Sequence, residues 1–324
     1  MRRITYVLVT CGMCLGIGIL IGLLYGPASL TLKQLLAGIA HDGEQPIEVI
    51  LWQLRMPRIA IAMTVGASLA VGGALLQISA RNPLGDPQIF GVGGGATVAQ
   101  AMALAGWLSS ETWTLMGTSV VFSTFSVGVI TFFSTRQNIT SARLALIGVS
   151  IAALSLAIAT GIMASARIFT QQSLAFIGGS FANRGWEDLL AGLPFIVVGL
   201  LLATSIARRL NILTLGDEIA ANLGANPSTT RLVAMASAGI LGGTAVALSG
   251  LVGFVGLLIP HLARLIVGHD SRSIILVCIP MGAVLTLYAD QLARLAFMPS
   301  EIPVGMVTTA LGAPLMIYLA RRVT

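Results

Sequence analysis

Ten apolar runs of spanning length follow one another along the chain, and they constrain the fold more than any other feature. They cover roughly residues 5–25, 59–79, 89–107, 113–133, 143–164, 189–207, 231–249, 250–267, 273–293 and 303–320. About twenty consecutive apolar residues make a helix long enough to cross a hydrocarbon layer of about 30 Å. Only 9% of the 324 residues are charged and 56% are hydrophobic, against roughly 25% charged in a soluble domain, so no aqueous surface of ordinary size could be furnished. Inside a bilayer every backbone polar group must be paired within the protein, and long runs rather than short alternating ones select helices over a barrel. The expectation is an all-α integral membrane protein of about ten transmembrane helices, one transmembrane domain over residues 1–324. Ser249 and Gly250 interrupt the tract between the seventh and eighth runs, and Pro260 can kink or end a helix; nine or eleven spans also fit there. The 37 glycines, many beside alanine or serine, are expected at helix–helix contacts, where small residues let transmembrane helices approach.

The net charge of +6 does not point to nucleic acid, because the arginines are scattered between apolar runs without interleaved aromatics. Topology explains them better, since short cytoplasmic loops collect Lys and Arg. With the N-terminus inside, Arg2, Arg3, Arg81, Arg136, Arg143, Arg208, Arg209, Arg231, Arg264, Arg272, Arg321 and Arg322 fall at the inner face. Lys33, Arg55, Arg58, Arg167, Arg184 and Arg294 fall outside. Twelve against six supports both termini in the cytoplasm. The apolar stretch Ile4–Leu24 after Arg2 and Arg3 is too long for a signal-peptide core and is expected as an uncleaved span. Cys11, Cys14 and Cys278 all lie in apolar segments, a spacing that suits neither a structural disulfide nor a metal site.

Three connecting segments are too patterned to be plain linkers. The stretch Pro27–Arg58 holds an amphipathic piece, Leu30–Ile39, and the acidic Asp42, Glu44 and Glu48; Ser165–Asp188 carries Gly178, Gly179 and Trp186, suited to a half-helix and turn. The inner loop Arg208–Arg231, divided by Gly216, Gly224 and Pro227, reads as two short helical pieces on a compact cytoplasmic surface.

Arg55-Met56-Pro57-Arg58 puts proline in the first turn of the second span and two arginines on one helix face. Headgroup binding is the plainer role for such a pair, and an intrahelical pair with Asp290 is the plainer role for Arg294. The segment 81–87, RNPLGDP, fixes a non-helical turn. In the segment 256–264, GLLIPHLAR, His261 and Arg264 share a helix face with no metal-ligand spacing nearby. No Walker sequence or other catalytic constellation occurs, so any ATP must be used by another chain. The lack of a clear mid-membrane carboxylate weighs against a proton- or sodium-coupled secondary transporter; a non-transporting membrane scaffold is the other alternative.

Four collinear strings carry a resemblance. From Leu51 onward LRMPRIAIAMTVGASLAVGGALLQISARNPLGDPQIFGVGGGA, LGDEIAANLGA, SGLVGFVGLLIPHLARLIVGHD and EIPVGMVTTALGAPLMIYL resemble the FecCD-type permease family of ABC importers for ferric siderophores, haem and cobalamin. The first fifty residues match in hydropathy alone. The resemblance implies the type II importer fold with ten spans, a second permease chain, identical or related, two ATP-binding subunits carrying ATP and magnesium, and an extracytoplasmic substrate-binding protein. It implies no cofactor on this chain and no catalytic activity of its own. By the same resemblance Arg55, Arg58 and Arg294 receive acidic side chains of the binding protein. Leu215, Gly216, Asp217, Glu218, Leu223 and Gly224 belong to the coupling helices that enter the ATPase. Asn82, Leu84, Ser141 and Ala142 narrow the cytoplasmic end of the path, although the family often has a hydroxyl where Ala142 stands. Ferric siderophore is the expected cargo, with cobalamin or haem as runner-up; the resemblance assigns no role to Lys33, Arg167 or Arg184.

Overall fold

The structure, a computed structural model, describes residues 2–83, 85–88, 90–136, 141–167, 177–296, 298 and 300–320. Its helices in chain order are α1 (Arg2–Leu24), α2 (Leu32–Ile39), α3 (Gln45–Glu48), α4 (Met56–Ser79), α5 (Val92–Leu104), α6 (Thr112–Arg136) and α7 (Ser141–Ser165). They continue as α8 (Trp186–Leu213), α9 (Asp217–Asn222), α10 (Pro227–Ser249), α11 (Val255–Val267), α12 (Ser271–Leu295) and α13 (Val304–Ala320). No strand occurs among the described residues. Among the described residues seven segments are long and apolar enough to cross a membrane, and α5, α11 and α13 are apolar but shorter. Together they are the ten expected runs of a multi-pass membrane protein.

Two of the short helices are truncated for visible reasons. The third run starts at Val92 rather than 89, because residues before it form a turn that ends on Gly91 with φ of 72°. The eighth starts at Val255 rather than 250, because Gly250 (φ 69°) and Phe254 (φ 66°) both take left-handed backbone conformations and break the tract. The break is held by Ser180 N donating to the Ser249 carbonyl at 2.7 Å and Gln88 Nε2 donating to that of Val252 at 3.4 Å. The second run is longer than expected. It is continuous over Gln45–Ser79, with a π-helical turn at Val49–Arg55 joining α3 to α4. Pro57 cannot donate to the carbonyl four residues back, and the wider turn places the register shift immediately before it: Met56 N donates to Leu51 O.

Arg2 marks one face of the bundle, the near face; Leu24 and Met56 lie at the opposite, far face. The central helices are α4 and α10, each 78% buried over its most apolar window, whereas α1 and α7 are 28% buried. α4 packs on α10, α11 and α12, and α10 also packs on α5, α6 and α8. Small side chains and backbone carbonyls make these contacts. Ser123 Oγ donates to Val92 O (2.8 Å) and Gly239 O (2.9 Å), tying α6 to α5 and α10, and Ser237 Oγ donates to Gly199 O of α8 at 2.7 Å. α1 is bolted to α12 by a ladder: Tyr288, Gln291 and Arg294 donate to the carbonyls of Cys14, Gly18 and Gly22. The donors are three residues apart and the acceptors four, so one stripe of each helix faces the other.

α4 also approaches α12 closely. A Cβ on Gly66 would stand 2.0 Å from Thr286 Oγ1 and 2.2 Å from Gly282 O, while Thr286 Oγ1 donates to Ala62 O at 2.7 Å. Overpacking of this kind typically costs about 1–3 kcal/mol. Gly66→Ala is therefore expected to lower the thermal midpoint of the detergent-solubilised protein, followed by reaction of Cys278 with a thiol dye. Gly12→Ala, with nothing within 4 Å, should leave it unchanged; equal midpoints for both variants would contradict this packing.

Candidate functional site

The ion pairs gather at the two faces. At the far face Arg55, Arg58 and Arg294, which are distant in sequence, line one cavity of about 530 Å³ together with Arg184 and Glu301. The sequence places the three arginines on an outer docking surface; the structure recesses them and gives each an internal partner. Arg55 and Arg294 are only 5% exposed. Arg55 Nη1 and Nη2 donate to the carbonyls of Leu23 and Ala28, and Arg294 Nη2 donates to those of Gly22 (3.2 Å) and Tyr25 (2.8 Å). A helix leaves its last carbonyls without intrahelical donors, so these two guanidiniums cap the end of α1, where a cation also suits the helix dipole.

Arg58 is held between two carboxylates. Its Nε and Nη2 reach Asp290 at 3.0 and 2.8 Å, and its Nη1 and Nη2 reach Glu301 at 3.1 and 2.9 Å. Asp290 thus pairs across helices with Arg58 and not along α12 with Arg294. Arg184 Nη1 donates to Asp188 Oδ1 at 3.1 Å. Asp188 Oδ2 in turn accepts from Gly185 N at 2.9 Å, so Arg184, without a role from sequence, belongs to the N-terminal cap of α8 and to the cavity wall. Lys33 and Arg167 are exposed.

At the near face the loop after α8 contains one short helix, not two, because α8 itself runs on through Arg208 and Arg209 to Leu213. α9 begins at Asp217 behind Gly216 (φ 120°) and is followed by Gly224 (φ 78°); both angles are cheap for glycine and costly for other residues. Leu215, Ile219 and Leu223 are 58, 50 and 60% exposed, an apolar face on a loop that a soluble monomer would hide. Glu218 is exposed beside them. Asp217 anchors the helix. Arg231 Nη1 and Nη2 donate to its two carboxylate oxygens at 2.8 and 2.9 Å, and Arg81 Nη2 donates to Oδ1. No sequence signal marks these partners, since Arg81 lies 136 residues away.

The turn beyond Arg81 is compact. Asn82 is 8% exposed, its N–H donates to Gln77 O at 3.1 Å and its carbonyl accepts from Gly85 N at 3.1 Å. Asp86 Oδ1 accepts from Gln88 N at 2.8 Å. Leu84 lies outside the described residues, as do the side chains of Ser141 and Ala142 at the start of α7. Arg264, on the same helix face as His261, reaches Gln77 Oε1 of α4 at 2.5 Å, and Gln77 Nε2 donates to Gly256 O and Leu257 O at 3.2 Å. That chain closes α11 on α4.

The model of the FecCD transport family matches residues 14–322, and the chain belongs to that family. It is 39% identical to the iron(3+)-hydroxamate import system permease protein FhuB of Bacillus subtilis (strain 168), over 96% of this chain and 81% of that one. It is 37% identical to the vitamin B12 import system permease protein BtuC of Yersinia enterocolitica, over 85% of this chain and 82% of that one. Among solved structures it resembles an ABC transporter of metal-chelate type in an inward-facing conformation, with a TM-score of 0.84 and 29% identity, covering 98% of this chain and 99% of that one. The fold is accordingly that of ABC-importer permeases.

The near-face anchor should respond to pH. Partial burial works to raise the Asp217 pKa, but the hydrogen bonds and charge of Arg231 and the charge of Arg81 outweigh it and hold the carboxyl below its ordinary value of 3.8. A depressed carboxylate contributes its stabilisation above the unfolded value and loses it as pH falls through the folded one. The effect is modest because the Asp217 side chain is 45% exposed. A nitroxide on an Ile219→Cys variant is expected to stay immobile at neutral pH and to sharpen only as pH drops below 3.8. With Asp217→Asn added, the sharp spectrum should already be present at neutral pH. Identical spectra for the two proteins at neutral pH would remove Asp217 as the anchor.

Proposed function

We propose that this chain is the permease subunit of a binding-protein-dependent ABC importer that carries a ferric siderophore across the cytoplasmic membrane. Both termini and α9 face the cytoplasm, and the arginine cavity faces outward. The working importer joins this chain to a second permease, identical or related, to two ATP-binding subunits that hold ATP and magnesium, and to an extracytoplasmic binding protein. The observation that carries this reading is the pairing of two different surfaces on one apolar bundle. A guanidinium-lined cavity at one face suits acidic side chains of a soluble partner, and an exposed apolar helix between two left-handed glycines at the other suits insertion into an ATPase. The iron-hydroxamate relative supports siderophore cargo. Cobalamin is the second reading, since the vitamin B12 relative is almost equally similar.

In this mechanism ATP closes the two ATPases, α9 carries the motion into the spans, and the path opens alternately to either side. Asn82, Leu84, Ser141 and Ala142 form its cytoplasmic constriction. Uptake of radioactive ferric hydroxamate or cobalamin into proteoliposomes holding the whole importer decides the class: it should require ATP and survive an uncoupler. Loss with the uncoupler and persistence without the ATPase would make the chain a secondary carrier.

Docking is expected to run through Arg58, because its carboxylate partner Glu301 is 33% exposed and can be exchanged for an incoming one. Exposed pairs contribute about 0–1 kcal/mol, whereas truncating one member of a desolvated pair costs about 2–5 kcal/mol. Arg58→Ala should weaken binding-protein affinity for nanodisc-held importer by at least tenfold, about 1.4 kcal/mol. Glu301→Gln, which removes the competing carboxylate, should strengthen it, and salt should weaken the native complex. Unchanged affinity for both variants across ionic strengths would leave Arg58 an internal partner of Asp290 and Glu301, with no part in docking.

A further inference from the structure

We propose that Arg81 is the positioning residue that transmits the movement of α9 to the constriction turn opening at Asn82. The inference rests on the importer reading above and goes beyond it by naming the tie.

Asp217 is the only acidic group in this cluster of described side chains, and it holds two arginines from different parts of the bundle. Arg231 is the fifth residue of α10. Its Nη atoms take the Asp217 carboxylate in a bidentate pair, and its Nε donates to Ser79 O, the last carbonyl of α4, at 3.2 Å. Arg81 follows α4 by two residues. It donates to Asp217 and, through Nε (3.1 Å) and Nη2 (2.6 Å), to Leu213 O at the end of α8. Two links therefore run from α9 to the end of α4, one through each arginine, and Asn82 is the next residue along the backbone.

The backbone of Arg81 shows that this side chain is held against a local preference. Its φ is 46°, a left-handed conformation that residues with a Cβ avoid and that persists where surroundings over-determine it. α9 packs mainly on its sequence neighbours α8 and α10, so its connection to α4 is made by side chains and not by helix contact. The glycines at its ends let α9 reorient. A rigid tie at Asp217 is what converts that reorientation into displacement of the turn, whereas a free loop would absorb it. The Arg81 guanidinium holds Asp217 through Nη2 and the Leu213 carbonyl through Nε and Nη2, and these charge-assisted bonds from one planar fork fix its direction as well as its distance, which suits a mechanical link.

Arg81→Asn tests the tie without threatening the turn, because asparagine takes the left-handed conformation more readily than arginine. The full importer with its ATPase subunits, trapped with ATP or free of nucleotide, is labelled by maleimide at an Asn82→Cys site. In the parent the labelling rate should differ at least fivefold between the two states. In Arg81→Asn the two rates should converge to within twofold, with assembly and ATP hydrolysis retained. Arg81→Lys, which keeps the charge but loses the fork, should fall between, and Arg81→Asp combined with Asp217→Arg should restore part of the difference. A nucleotide-dependent difference that survives Arg81→Asn overturns the tie and leaves the importer reading standing. So does a parallel loss of assembly, hydrolysis and labelling difference in Arg81→Asn and Arg81→Lys, which marks a merely structural residue. If the parent complex neither assembles with ATPase subunits nor hydrolyses ATP, the importer reading itself falls.

Discussion

Helix ends inside or beside a bilayer leave carbonyls that water cannot reach, and the arrangement of this protein depends on how those carbonyls are met. The answer is repeatedly an arginine from another helix. Arg55 and Arg294 cap the end of α1, Arg231 caps α4 at Ser79, Arg81 caps α8 at Leu213, and Arg3 Nη1 reaches Ile266 O near the end of α11 at 3.4 Å. Each such bond joins a cation to the negative end of a helix dipole, an arrangement that contributes up to about 2 kcal/mol where partly buried. Each also joins two helices.

The same device has different consequences at the two faces. At the far face the capped end belongs to a spanning helix that the α1–α12 ladder already fixes, so Arg55 and Arg294 have little freedom and the cavity they line is a preset shape. At the near face the arginines bridge spanning helices to α9, a six-residue element bounded by two left-handed glycines. There the caps also tie α9 to the ends of α4 and α8.

Much of this was legible in the sequence, and the boundary of legibility is physical. Hydropathy locates the ten spans because burying an apolar helix in lipid is a local property of each run. It misplaces the starts of α5 and α11, since Gly91, Gly250 and Phe254 break helices through backbone angles that apolar character does not report. It also misses the upstream extension to Gln45, where a π turn accommodates Pro57. The expectation of two helical pieces between Arg208 and Arg231 fails because α8 uses the basic residues as an ordinary last turn. The family strings point to the residues at both faces, but not to what those residues touch: Asp290 with Arg58, Gln77 with Arg264 and Asp217 with Arg81 are pairings across more than 100 positions. Such pairs depend on how helices are assembled, and no periodicity in one helix encodes them.

The recessing of Arg55 and Arg294 follows from the same economy. An arginine on an open outer loop would be solvated and flexible, and ordering it on docking would cost about 0.5–1.5 kcal/mol per side chain. Arginines already fixed on α1 carbonyls have met that cost during folding, and their orientation is set before any partner arrives. The remaining exchangeable position is Arg58, whose second carboxylate, Glu301, lies at the cavity edge and is the more exposed of its two partners. Under the proposed docking role, a rigid cationic floor with one replaceable anion would select a partner by the placement of its carboxylates rather than by net charge alone. In the proposed importer this would let the outer face recognise its own binding protein among other acidic proteins at the membrane surface.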